Sequence, residues 1–383
     1  MLIELTEEQR MLKDTARDFA DNELAPIAAK LDREKSIPRE LLKKMADIGL
    51  LSIIIPEKYG GVGLGNFELV LALEEINRVC ASTGVTVSVH ASLCTSPILR
   101  FGNDEQKQRY LPRLATGEIL GAYALTEANA GSDAASLETT ARKDGNDYVL
   151  NGSKMFITNG GIAELIIVFA RTNPDKSLRA KGITAFFVEA GYKGFKVGKK
   201  EEKLGISASN TVELVFEDCR VPKENILFEE NKGFTVAMDT LDGGRIGIAT
   251  QALGIAQASL DASVKYANQR KQFGKLISEF QAIQWKLADM ATDIDAARML
   301  VYRAAMMRDK KVPHTREAAM AKLFASTMAN KAAKEAVQIH GGVGYTKEFP
   351  VERFFRDAKI TEIYEGTSEV QKIVISRAVL GRK

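Results

Sequence analysis

Tyr148 to Thr158 reads YVLNGSKMFIT, and whether this run is strand or helix decides the fold. Its β-branched and aromatic residues alternate with polar ones, the pattern of a pleated strand with one face buried. Asn151-Gly152 within it predicts a hairpin turn, and Asn159-Gly160 just beyond predicts a second turn. Outward from this run the same character holds from about Glu118 to Glu229, in GAYAL, LETTARK, LIIVFART, GITAFFVE and TVELVFED. The middle of the chain is therefore a β domain.

On either side the apolar period becomes helical. Glu7 to about Gly117 carries apolar residues at threes and fours in EEQRMLKDTARDFADNEL, RELLKKMADIGL and ELVLALEEINRVC, broken by the glycine-rich PEKYGGVGLGN. FGNDEQKQRYLPRL reads as a turn and a capped helix. From Gly233 to Arg382 long helical segments with few prolines predict a bundle of antiparallel helices. The fold expected is α+β and multidomain, with an N-terminal helical domain over 1–117, a middle β domain over 118–229 and a C-terminal helical domain over 230–383.

Composition narrows the function. Over 383 residues, 45% are apolar and 27% charged, and the net charge is +3, with no basic excess of the kind that tracks nucleic acid. The longest apolar runs fall far short of the roughly 20 residues that span a bilayer. The N-terminus turns acidic and helical at once, without a signal-peptide pattern, which points to a cytoplasmic address. Cys80, Cys94 and Cys219 are odd in number and widely spaced, so they read as buried thiols. His90, His314 and His340 are scattered and HExxH is absent, so no protein metal site is expected. Neither GxGxxG nor GxxxxGK[ST] occurs, which removes the common nucleotide-binding templates.

Three polar, glycine-bearing clusters remain. YALTEANAGSD (Tyr123–Asp133) with KMFITNGG (Lys154–Gly161) could present hydroxyls and amides to a flat heteroaromatic ligand, with Phe156 on its face, or could be ordinary turns. RKQFGK (Arg270–Lys275) with QIHGGVGY (Gln338–Tyr345) suits a phosphate or pyrophosphate, or equally a basic face and a helix C-cap at Gly341, with His340 packed beside it. In ITEIYEGTSEVQ (Ile360–Gln371), Ser368 and Gln371 have capping-box spacing, and Glu365 precedes that helix beside Gly366. Taken alone, Glu365 is a turn carboxylate or a base.

Six ordered motifs, YALTEANAGSD, NGSKMFITNGG, LDGGRIGIATQALGIA, RKQFGK, QIHGGVGYTKEFPVER and RDAKITEIYEGTSEVQ, resemble those of the acyl-CoA dehydrogenase family over essentially the whole chain. The likeness is greatest to the short-chain, butyryl-CoA type enzymes. It implies a β-barrel-like middle domain, a four-helix-bundle-like C-terminal domain, FAD between the two, and a homotetramer built as a dimer of dimers. Flavin contacts would fall on Tyr123, Leu125, Thr126, Ser132, Phe156, Ile157 and Thr158, the last near flavin N5. Many relatives have tryptophan where this chain has Phe156. Arg270, Gln272, Phe273, Gln338 and Gly342 would hold a neighbouring subunit's FAD, and Thr367 and Glu369 that of the same chain. Acyl-CoA would be lined by Ser132, Asp242, Arg245, Tyr364 and Gly366.

The resemblance also implies a reaction. Glu365 would remove the α-proton of a saturated acyl-CoA while a hydride equivalent leaves the β-carbon for flavin N5, giving the trans-2-enoyl-CoA. Enolate charge on the thioester oxygen would meet the Glu365 N–H and a flavin ribityl hydroxyl. Electrons would pass to electron-transferring flavoprotein. Branches of the family that place the base immediately before the arginine of LDGGR are excluded, because that position here is Gly244. The same fold also serves enoyl-CoA reductases, glutaryl-CoA, cyclic and branched acyl-CoA dehydrogenases and acyl-CoA oxidases; a catalytically dead CoA-binding scaffold would lack an occupied base position. Ser88, His90 and Leu93 border the expected acyl tail, with His90 hinting at a tail that is not purely aliphatic.

Overall fold

The computed structural model describes residues 4–381, so residues 1–3 and 382–383, at the outer ends of the two expected helical domains, lie outside it. Seven helices come first: α1 (Glu7–Phe19), α2 (Ala28–Glu34), α3 (Arg39–Asp47), α4 (Asn66–Val79), α5 (Ala81–Ser88), α6 (Ser96–Phe101) and α7 (Asp104–Ala115). Capping boxes start two of them. Thr6 pairs with Gln9 ahead of α1, and Asn103 with Gln106 ahead of α7, where the Gln106 N–H donates to Asn103 Oδ1 at 2.8 Å. Between α5 and α6 the chain stays helical but widens into a π-turn over Val89–Thr95, with the Thr95 hydroxyl donating to the His90 carbonyl at 2.9 Å.

The β domain holds β1 (Gly121–Ala124), β2 (Thr140–Asp144), β3 (Asp147–Thr158), β4 (Leu165–Arg171), β5 (Ile183–Glu189), β6 (Phe195–Lys200), β7 (Thr211–Pro222) and β8 (Ile226–Leu227). They form one sheet in the order β6-β7-β3-β2-β4-β5-β8, with β1 parallel to β4. Every residue of β4 is buried, the apolar run Leu165–Ala170 and the closing Arg171 alike.

Asn151-Gly152 is not a hairpin. β3 passes straight through it, and the turn falls earlier, at Gly145-Asn146 between the paired residues Asp144 and Asp147. What Asn151-Gly152 marks is a bulge against β7: Leu150 pairs with Cys219 but Gly152 with Phe216, so β7 carries the extra residue. The Asn151 side chain bonds that bulge, donating to Asp218 Oδ1 at 3.1 Å and accepting the Asp218 N–H at 2.9 Å. Glycine is required at 152 because a Cβ there would lie 2.7 Å from the Thr139 hydroxyl, and its φ is 143°. Asn159-Gly160 does turn the chain. The buried Asn159 amide donates to the carbonyls of Thr86 and Gly121, tying the sheet to α5 and β1.

The C-terminal part is α8 (Gly233–Ala267), a short hairpin of β9 (Lys271–Gln272) and β10 (Lys275–Leu276), α9 (Gln281–Asp309), α10 (Thr315–His340), α11 (Val351–Ala358) and α12 (Ser368–Val379). α8 runs through the centre, packed on α10, α4 and α9. One apolar core joins it to the N-terminal helices and to one face of the sheet, while a second fills the space under α1 to α3 and the other face. α10 ends where Gly341 takes φ 64°, and the buried His340 stacks on Tyr266 with ring centroids 4.3 Å apart. The three cysteines are free and buried. Among the described residues, no helix is long and apolar enough to cross a membrane.

Candidate active site

Glu365 lies in the loop between a 3₁₀ turn (Lys359–Glu362) and α12. Its φ is 53° and that of Gly366 is 93°, so two successive residues are left-handed, a conformation that a glutamate adopts only when its surroundings enforce it. Those surroundings are specific. The Gly366 carbonyl accepts from Lys322 Nζ at 2.7 Å and from Gln371 Nε2 at 2.8 Å, and Gln371 Nε2 also reaches the Glu365 carbonyl at 3.2 Å. The cap of α12 falls one residue earlier than expected: Thr367, not Ser368, accepts the Val370 N–H. Gln371 therefore pins the Glu365 loop, and does not close a capping box.

This backbone sends the Glu365 carboxylate onto α8. A Cβ on Gly244 would lie 1.7 Å from Glu365 Oε2, so the carboxylate occupies the space that the missing side chain leaves. Part of the residue reaches the surface, yet Oε2 is buried and has no hydrogen-bond partner among the described residues. Burial pushes the carboxyl up to about 8, with the charges of Lys322 and Arg245 pulling against it. Its negative charge in turn adds to the burial that holds the phenols of Tyr123 and Tyr364 well above their ordinary range. Tyr364 donates to the Gln251 side-chain oxygen on α8. The Glu365 N–H has no backbone partner among the described residues.

The residue after Gly244 on α8, Arg245, lines a cleft of about 830 Å³ together with Phe234, Met238, Asp242, Thr315 and Val374 among others. Arg245 is buried and bonds Asp242 Oδ1 at 2.6 Å; its Nε has no partner among the described residues. Asp242 also accepts the Thr315 hydroxyl.

The β-domain residues converge on one wall. Tyr123 lies in β1, its hydroxyl 3.5 Å from the Ala237 carbonyl of α8. The Thr126 carbonyl accepts the Met155 N–H at 2.8 Å, joining the first cluster to the second. Between Lys154 and Ile157 β3 bulges against β7, placing Phe156 at φ 59° with 58% of its surface exposed. Ile157 is buried behind it, and the side chains of Thr126 and Thr158 are half-buried at the rim. Under this wall lies an ion pair. Fully buried Lys154 bonds Glu127 Oε1 at 2.6 Å and the Leu125 carbonyl at 3.2 Å, while Glu127 also accepts the Thr139 N–H at 3.0 Å. Ser132 stands apart on an exposed loop.

The remaining residues face outward. Phe273-Gly274 is a two-residue turn with φ 52° and 81°, and Phe273 is 93% exposed at its tip. Arg270, Gln272, Gln338 and Gly342 are exposed too, and Glu369 sits exposed in the first turn of α12. Of the residues expected at the acyl tail, Ser88 and Leu93 face α8: the Ser88 hydroxyl would lie 2.3 Å from a Cβ on Gly247, and Leu93 Cδ2 2.8 Å from one on Gly244. His90 does not join them. It is fully buried and faces β1, where Nδ1 accepts the Gly121 N–H at 3.2 Å, and burial drops its imidazole to about 4. It therefore gives no sign of a polar acyl tail.

Sequence reasoning missed Lys322 and the Glu127–Lys154 pair. Lys322 had a signal, since it shares a helical face with Ala318, Ala325 and Ala329, all buried.

Comparison with known proteins is uniform along the chain. The acyl-CoA dehydrogenase N-terminal, middle and C-terminal domain models match residues 6–118, 122–219 and 231–380. The chain is 52% identical over 372 residues to a short-chain specific acyl-CoA dehydrogenase of Clostridium acetobutylicum, covering 97% of this chain and 98% of that protein. It is 53% identical over 380 residues to an acryloyl-CoA reductase (NADH) of Anaerotignum propionicum, covering 99% and 96%. Among solved structures, butyryl-CoA dehydrogenase from Megasphaera elsdenii superposes with a TM-score of 0.97 at 49% identity, covering 99% of this chain and 100% of that one. With three domain models matched in order and half its residues shared with these relatives, the chain belongs to the acyl-CoA dehydrogenase family.

Proposed function

We propose that the chain dehydrogenates a short acyl-CoA between its α- and β-carbons, with Glu365 as the base. The observation that carries this reading is the Glu365 carboxylate, set in the space left by Gly244 with Oε2 buried and unpartnered among the described residues, one residue along α8 from Arg245, which lines a cleft of about 830 Å³. An α-C–H next to a thioester is a weak acid, and a carboxylate left in water is too weak a base to take its proton efficiently. Burial raises the basicity of Glu365 toward what the step needs. Its N–H, which has no backbone partner among the described residues, is available to the thioester oxygen as enolate charge develops. Arg245 and Asp242 line the cleft through which the CoA portion would enter, while Tyr364 and Gly366 flank Glu365 in the chain.

The wall around Phe156 fits FAD. An exposed aromatic ring held out on a bulge, flanked by Thr126 and Thr158, is suited to a flat ring with polar edges. When bound, FAD supplies the two-electron acceptor for the hydrogen lost from the β-carbon. Tyr123, Leu125 and Ile157 are buried behind that wall, Ser132 would have to reach the cofactor from its exposed loop, and Thr367 and Glu369, at the cap and first turn of α12, would hold the chain's own FAD. Arg270, Gln272, Phe273, Gln338 and Gly342, which all face outward, would serve a neighbouring subunit's FAD in a homotetramer. Electron-transferring flavoprotein is the acceptor this reading implies.

The test is product identification. FAD-loaded enzyme incubated with butyryl-CoA and an artificial acceptor should form trans-2-butenoyl-CoA, seen by mass spectrometry as the loss of two hydrogens. No product across straight, branched and dicarboxylic acyl-CoAs would refute the proposal. A second reading, reduction of a short enoyl-CoA, is favoured by the reductase relative at 53% identity. Faster turnover of acryloyl-CoA with NADH and an electron-transferring flavoprotein than of any saturated acyl-CoA would establish that direction.

A further inference from the structure

We propose that Lys322 is a positioning residue for Glu365: its ammonium locks the left-handed Glu365–Gly366 loop and supplies the buried positive charge that faces the carboxylate. This rests on the reading of Glu365 as the base. Lys322 is fully buried on the alanine-rich face of α10, where an unpaired ammonium is strongly disfavoured. Its hydrogen bond to the Gly366 carbonyl, 2.7 Å long, fixes the peptide plane that follows Glu365. Gln371, also buried, holds the same carbonyl from α12, so the loop is gripped from two helices. With both residues left-handed, the carboxylate falls over Gly244.

The grip alone could come from any donor; the charge could not. Glu365 is faced by Lys322 from α10, Arg245 from α8, Tyr123 from β1 and its neighbour Tyr364. Lys322 is faced by Glu365, Arg245, Glu362 and Glu369, and burial lowers its own affinity for a proton. The two cations oppose the burial that raises the Glu365 carboxyl. Removing Lys322 must raise it further, leaving less ionised base near neutral pH.

The experiment uses FAD-loaded wild type, Lys322→Met, which removes both bond and charge, and Lys322→Gln, which keeps an amide donor without the charge. Infrared difference titration follows the protonated carboxyl band assigned to Glu365 by its absence in Glu365→Gln, and kcat/KM is measured over the same pH range. In both lysine variants the infrared midpoint should rise by about one unit or more. The acid limb of kcat/KM should move with it, so that the rate at pH 7 falls about tenfold per unit. A midpoint unmoved in a variant that folds and keeps FAD overturns the proposal while leaving Glu365 its role. Should Lys322→Met fail to fold, Lys322→Gln decides the same question. A moved midpoint beside an unmoved rate limb would overturn Glu365 as base and, with it, the catalytic part of the proposal.

Discussion

Gly244→Ala is the smallest change that bears on the active site. The added methyl carbon would lie 1.7 Å from Glu365 Oε2 and 2.8 Å from Leu93 Cδ2. An ordinary carbon–oxygen approach is about 3.3 Å, so the carboxylate must retreat by roughly 1.6 Å. Because Oε2 is the far end of a flexible side chain, it can swing away without unfolding the protein. Alanine also favours the helix over glycine by about 1 kcal/mol, which limits the damage to α8. Catalysis has no such latitude, since a displacement of about 1 Å from the reacting atom costs on the order of 10²-fold. Gly244→Ala should therefore keep its FAD and its thermal unfolding midpoint while kcat/KM for butyryl-CoA, measured with an artificial acceptor, falls about 10²-fold or more. A variant within about threefold of wild type would show that the carboxylate does not work from this position.

Glu127→Ala leaves Lys154 buried without its counter-charge. It should cost about 3–5 kcal/mol, read as a lower thermal midpoint together with loss of FAD from the Phe156 wall; unchanged FAD content would detach the ion pair from that wall. Phe273→Ala removes a ring that the single chain leaves exposed, so circular dichroism should not change while FAD content and the sedimenting tetramer both fall. If neither falls, the hairpin does not serve a neighbouring subunit. Stability should also report the buried carboxyl. Between the ordinary carboxylate range and about 8 the native state keeps a proton on Glu365 that the unfolded chain has released, so this group's contribution to stability falls as pH rises through that window. Relative to wild type, Glu365→Gln should gain thermal stability between about pH 5 and pH 8.5, and a difference that stays constant would contradict the burial.

The succession of helical, β and helical regions was legible because period and turn chemistry are local: β4 is apolar from Leu165 to Ala170, and Asn103 and Thr6 carry complete capping boxes. Asn151-Gly152 misled because the same dipeptide serves a hairpin and a bulge, and only the partner strand distinguishes them. Thr367 displaced Ser368 as the cap because Gln371, whose spacing suggested a capping box, is drawn off to the Glu365 and Gly366 carbonyls. The motif around Glu365 identified a candidate base, but not what makes it one. The space at Gly244 and the ammonium of Lys322 come from α8 and α10, far away in the chain, so no local pattern could join them. His90 went astray for a similar reason: Ser88 and Leu93 of the same segment face α8, but the His90 side chain leaves in another direction, toward Gly121.

If Glu365 takes the α-proton, proton exchange reports it without requiring complete turnover. Enzyme loaded with FAD and mixed with butyryl-CoA in deuterated water should wash deuterium into the α-position of the recovered substrate, read by mass spectrometry. Glu365→Gln, still yellow with FAD and still binding acyl-CoA, should lower that exchange by about 10²-fold or more. Exchange at the wild-type rate in Glu365→Gln would mean that another group is the base.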